Sequence, residues 1–139
     1  MKTISIIIIT SNSSKHIEYC LDSILMQDFK DYEIVVVDNG SEDNTISIIK
    51  SRYPDIILIE NFKNFGPCYA RNQGIVGTNG KFVLCIDHDI KILENFLTNI
   101  YKAIKDRDNV GAVGPKILMS NGKTVYSAGI HFYRSTLKS

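Results

Sequence analysis

The chain has 139 residues, 44% of them apolar and 22% charged, with a formal net charge of +1. That length suits one domain with a real core, and the near-neutral balance argues against a dedicated nucleic-acid surface, which needs a clear basic excess. Its three cysteines, Cys20, Cys68 and Cys85, are widely spaced and odd in number, which fits a reducing cytoplasm.

The elements follow in order. Ile4 to Ile9 is nearly all β-branched and apolar, so it reads as a buried first strand. It is too short to span a bilayer, and the polar Thr10-Ser11-Asn12 after it carries no cleavage pattern of a signal peptide. Ser13 or Ser14 can cap a helix whose apolar stripe is Ile17, Cys20, Leu21, Ile24 and Leu25. Tyr32 to Val37 is the second strand, ending at Asp38-Asn39-Gly40-Ser41. Ser41 is the expected cap of a second helix through about Arg52, with Glu42 and Asp43 suited to its positive end. Pro54 ends that helix and Ile56 to Ile59 is a third strand. Gly66-Pro67 opens a short helix through Ile75.

Phe82 to Ile86 reads as a fully buried fourth strand, with Cys85 as a small core residue, as Cys20 is on its helix. Leu93, Phe96, Leu97, Ile100, Tyr101 and Ile104 form another helical stripe, and Gly111 to Val113 starts a further strand. Asn121-Gly122 between Ile117-Leu118-Met119 and Thr124-Val125-Tyr126 is a strong hairpin signal.

Alternating strands and helices predict an α/β fold, a mostly parallel, doubly wound sheet with helices on both faces. The turn Thr10 to Ser14 has no glycine, so the chain lacks the dinucleotide-binding G-x-G-x-x-G, and no Walker-type lysine loop occurs. In this topology the ends of strands one, two and four converge, bringing together Thr10-Ser11, Asp38 to Ser41 and Asp87-His88-Asp89.

Two carboxylates one residue apart at a strand end suit a hard cation such as Mg²⁺ or Mn²⁺. Taken in isolation, Asp-x-Asp more simply reads as an acidic loop start that caps the next helix. Asp38 can accept from a nucleobase or ribose, or simply form a turn with Asn39 and Gly40. Arg71 can grip a diphosphate bidentately, or be a surface arginine on an amphipathic helix.

Taken together these segments resemble a known family. Ser5 to Thr10, Ile34 to Thr45, Asn64 to Ile75 and Phe82 to Asp89 are similar, in order and spacing, to the opening of GT-A-fold, family 2 glycosyltransferases. Gly114 to Leu118 and Ser127-Ala128-Gly129 are more weakly similar to the rhamnosyltransferase-like branch. The resemblance implies a GT-A domain over residues 1–139 that binds a nucleoside-diphosphate sugar. It implies that Thr10 and Asp38 contact the nucleoside, with Asp38 on the base, and that Arg71 lies near the base or diphosphate. Asp87 would face the ribose or metal, and Asp89 would coordinate the Mg²⁺ or Mn²⁺ that bridges the diphosphate. His88 is a less usual occupant of its place in that motif, either an added group at the site or a solvent-facing loop histidine.

Inverting transfer to a glycan or lipid-linked acceptor also needs a general base. In the family this is an acid well downstream, yet no Asp or Glu follows Asp108 here. His131 sits between Ile130 and Phe132, where a structural role is the simpler reading. The expectation is therefore a donor-binding portion of a longer enzyme, its catalytic base unassigned. A non-catalytic nucleotide-binding module is the alternative, and a nucleotidyltransferase is disfavoured because Thr10 to Ser14 is not a glycine-rich loop. The expected setting is the cytoplasm, with peripheral association at the inner membrane face and self-association both open.

Overall fold

The computed structural model describes residues 1–129, so His131 lies outside the described residues. The chain divides into two compact units, Met1–Phe96 and Leu97–Ser139. The first holds a four-stranded parallel sheet in the order β3-β2-β1-β4, formed by β1 (Ile4–Thr10), β2 (Tyr32–Asn39), β3 (Ile57–Asn61) and β4 (Phe82–Asp87). Helices α1 (Ile17–Leu25), α2 (Thr45–Arg52) and α3 (Pro67–Val76) are the crossovers. The order reverses between β1 and β4, so right-handed connections put α1 and α2 on one face and α3 on the other. This is the mostly parallel α/β sheet expected of the chain.

The core sits on β1 and β2. Ile6, Ile7, Ile8, Val35, Val36 and Val37 are all fully buried or within 1% of it, and burial of each such side chain contributes about 1.5–3 kcal/mol relative to leaving it in water. Close packing of α3 depends on Gly74: a Cβ there would lie 2.5 Å from Ile7 Cγ2.

Several boundaries differ from the expectation, each for a local reason. The first helix starts at Ile17 with His16 at its N-cap and no side-chain cap, because Ser13 Oγ donates instead to the Ser11 carbonyl, 3.1 Å away. The second helix starts at Thr45, not beside Ser41. Ser41 is occupied by Asp38, while Asp43 Oδ1 accepts from the Thr45 N–H at 2.9 Å. β4 is not fully buried: Val83 is 45% exposed and Cys85 is exposed, not a core residue. By register with Ser5 and Ile7 these two lie on the α3 face, but α3 packs over β1 and β2 and β4 is the sheet's edge. Cys20, by contrast, is buried as expected.

The second unit is described to residue 129. Helix α4 (Phe96–Ile104) enters it, and β5 (Ile117–Leu118) pairs antiparallel with β6 (Val125–Ser127). The hairpin turn is the expected one: Gly122 has φ +67°, and Asn121 Oδ1 accepts from the N–H groups of Lys123 and Thr124, both at 3.0 Å. Gly111 to Val113 is not a strand; no partner strand pairs with it among the described residues.

Candidate functional site at the carboxyl edge of the sheet

Ligands of open α/β sheets bind outside the carboxyl ends of the strands where the strand order reverses. Here that point is the β1/β4 pair, with Ile9 opposite Asp87 in register and Thr10 opposite Asp38 on the other side. Register partners share a face, so Asp87 belongs to the α3 side while Thr10 and Asp38 belong to the α1/α2 side.

Asp87 and Asp89 are exposed at the end of β4. Arg71, on α3, reaches across so that its Nη2 stands 3.4 Å from Asp87 Oδ1. The turn that carries Asp89 is held from α1: the Ile92 N–H donates to Ser23 Oγ at 3.2 Å, and Gln27 Nε2 donates to the Leu93 carbonyl at 2.9 Å. Cys20 Sγ lies 3.7 Å from the Asp87 carbonyl. Burial, then the charges of Asp89 and Asp87, push the Cys20 thiol up to about 12. It stays protonated and serves as a packing group.

Asp38 is fully buried. One of its carboxylate oxygens accepts from the Ser41 N–H at 2.8 Å, the other from Ser41 Oγ at 2.5 Å. In this geometry Asp38 organises the β2–α2 loop through both carboxylate oxygens. Thr10 is also buried, and its hydroxyl has no hydrogen-bond partner among the described residues. Asp43 takes the opposite course from burial, which would raise it: hydrogen bonds from Thr45 and Ser14 hold its carboxyl well below the usual carboxylate range. Those bonds tie the β1–α1 loop to the start of α2, and Asn12 N–H to Ser41 Oγ and Glu42 N–H to Asn12 Oδ1, both at 2.8 Å, tie it to the β2–α2 loop.

An amide network, which sequence reasoning missed, builds the opposite wall. Asn39 Nδ2 donates to Asn64 Oδ1 at 2.8 Å, and Asn39 Oδ1 accepts from Asn61 Nδ2 and the Phe65 N–H, both at 3.1 Å. Asn61 and Gln73 of α3 exchange two further bonds. The sequence signal was the concentration of Asn and Gly around Asn61, Asn64 and Gly66, the residues that satisfy turn backbones.

Two open clefts result. The first, about 260 Å³, is lined by residues that include Thr10, Ser11, Asn39, Asp87, His88 and Asp89. The second, about 480 Å³, runs between Ser41 and Lys63, with the exposed ring of Phe62 at its wall. Ser11 and Asn64 line both. Gly40 allows the second cleft to form: its φ is +75°, and a Cβ there would lie 2.6 Å from backbone atoms of Lys63. The first cleft alone falls short of the roughly 300–1,000 Å³ of ordinary ligand sites. The two side by side offer a longer, polar trough.

Asp87 and Asp89 are the groups suited to a divalent cation. Among the described residues no three His, Cys, Asp or Glu side chains cluster as a metal cage. A carboxylate pair is nonetheless the usual protein share for Mg²⁺, whose remaining ligands are water and substrate phosphate. The donor set fits such an ion.

Comparison with known proteins agrees with the fold. A family model described as glycosyl transferase family 2 matches residues 5–138. The chain is 34% identical over 128 residues to the poly(ribitol-phosphate) beta-glucosyltransferase of Bacillus spizizenii, covering 88% of this chain and 20% of that protein. Among solved structures it superposes on S. aureus TarS 1-349 in complex with UDP with a TM-score of 0.70 and 27% identity, over 88% of this chain and 43% of that one. The mannosyltransferase PcManGT from Pyrobaculum calidifontis, in complex with GDP-Man and Mn²⁺, gives 0.69 and 30% identity over 76% of this chain and 33% of that one. The chain thus spans less than half the length of each of these relatives. With its GT-A-type parallel sheet and a family model matched along nearly its whole length, the chain belongs to glycosyl transferase family 2.

Proposed function

We propose that this chain is the donor-binding part of an inverting glycosyltransferase, one that moves a sugar from a nucleoside diphosphate to a glycan or lipid-linked acceptor. The observation that carries the reading is a cleft at the β1/β4 reversal point lined by Asp87 and Asp89, with Arg71 of α3 paired to Asp87. Asp89 and Asp87 would hold Mg²⁺ or Mn²⁺, and the bound ion would offset the charge that builds on the departing nucleoside diphosphate. Arg71, half-exposed and already turned toward Asp87, would pair with a diphosphate oxygen through its planar fork of donors. Thr10 and Asp38 would shape the nucleoside side, Asp38 by holding Ser41 and the β2–α2 loop in place. The cytoplasmic face of a membrane is the proposed setting; among the described residues no helix is long and apolar enough to cross one.

A non-catalytic nucleotide-binding module is the second reading. It requires the same donor site and no general base. Incubating the chain with UDP-glucose or GDP-mannose, Mn²⁺ and a carbohydrate acceptor tests both. Release of nucleoside diphosphate by the wild type and not by Asp89→Ala supports the enzyme. Binding without turnover is the outcome of either a donor-binding part or a module, and absence of both rejects donor binding.

A further inference from the structure

His88 stands between the two aspartates and has no part in the reading above. It is half-buried, lines the first cleft with Asp87 and Asp89, and its Nδ1 lies 3.2 Å from the Ile9 carbonyl oxygen. A carbonyl oxygen only accepts, so the proton of this bond belongs to Nδ1, and the neutral ring then carries its lone pair on Nε2. Ile9 is the register partner of Asp87, so the bond also pins the turn after β4 to the central strand.

A histidine with Nδ1–H on a backbone carbonyl has the form of a metal ligand. The cation site described above takes Asp87 and Asp89 from the protein and its remaining ligands from water and phosphate, which leaves the lone pair of His88 for the substrate. Phosphate oxygens are acceptors themselves and are poor partners for a lone pair. What remains beside a diphosphate on a nucleotide sugar is O–H, from the ribose on one side and the transferred sugar on the other.

We propose that His88 is a specificity residue for the donor: its Nδ1–H is anchored on Ile9, and its Nε2 accepts a hydroxyl of the bound nucleotide sugar. This rests on the donor-binding reading. Asparagine places an amide N–H where Nδ1 stands, so His88→Asn keeps the anchor and removes the acceptor, whereas His88→Ala removes both. His88→Asn therefore melts with the wild type and His88→Ala melts lower.

The binding test is calorimetry in Mn²⁺ with UDP, 2′-deoxy-UDP, 3′-deoxy-UDP and UDP-glucose, or the guanosine and mannose counterparts if GDP binds more tightly. The expected loss in His88→Asn is about three- to tenfold, the size of one hydrogen bond. If UDP weakens and one deoxy analogue does not, the partner is the ribose; if only UDP-glucose weakens, it is the sugar. Unchanged affinity for all four ligands overturns the proposal. A wild type that binds none of them sinks the donor-binding reading, whatever the variant does.

Discussion

The guanidinium of Arg71 and the carboxylate of Asp87 stand 3.4 Å apart, joining α3 to the end of β4. Both side chains are well exposed, at 37% and 65%, so the pair adds at most about 1 kcal/mol to stability. Arg71→Ala should leave the melting temperature nearly unchanged. Nucleoside diphosphate binding should weaken at least tenfold and nucleoside binding far less, since a charge-assisted bond to the diphosphate contributes about 1.5–3 kcal/mol. Equal weakening toward uridine and UDP would show that Arg71 serves the base.

Gly40→Ala tests the wall of the second cleft. The left-handed backbone alone costs a side chain about 1–2 kcal/mol, and the added carbon would collide with the backbone of Lys63. A fall in stability of roughly 2–4 kcal/mol is expected on denaturant unfolding, together with weaker nucleotide binding. A variant as stable as the wild type would mean that the two loops separate without cost.

Thr10→Val should stabilise the protein. It replaces a buried hydroxyl that has no partner among the described residues with a methyl of similar shape, and an unsatisfied group of this kind costs about 1–3 kcal/mol. If the hydroxyl is instead held for the nucleoside, the same variant binds UDP less well while melting higher. Destabilisation would show that the hydroxyl has a partner after all.

Cys20 sets a limit at high pH. Its thiol is raised from 9.0 to about 12 by burial and by the charges of Asp89 and Asp87. Its contribution is fully present below pH 9, where folded and unfolded chains are both protonated, and is lost as pH rises toward 12, because the unfolded chain gives up its proton first. Stability should fall over that window and fall less in Cys20→Ala relative to its own value at pH 8. In the native protein Cys20 should resist alkylation at pH 8 while the exposed Cys68 and Cys85 react.

The sheet was legible because its signals are local. The β-branched runs of β1 and β2, Pro67 at the start of α3 and Asn121-Gly122 in the hairpin each act within a few residues. What was hidden depended on distant partners. Ser41 could cap a helix or serve Asp38, and the choice is made by loop closure against Asn12 and Lys63. Exposure of Val83 and Cys85 follows from the edge position of β4, which its apolar sequence does not disclose. The Asn39, Asn61, Asn64 and Gln73 network unites three elements, and the Asn and Gly around Asn61 and Asn64 signal a turn without disclosing the partners on β2 and α3.

The most direct test of donor binding is titration calorimetry of UDP and GDP, with and without Mn²⁺, on the wild type and on Asp89→Ala. The account predicts that one nucleotide binds the wild type more tightly with Mn²⁺, and that the metal-dependent gain disappears in Asp89→Ala while the fold is retained. Equal, metal-independent binding by both proteins would contradict it.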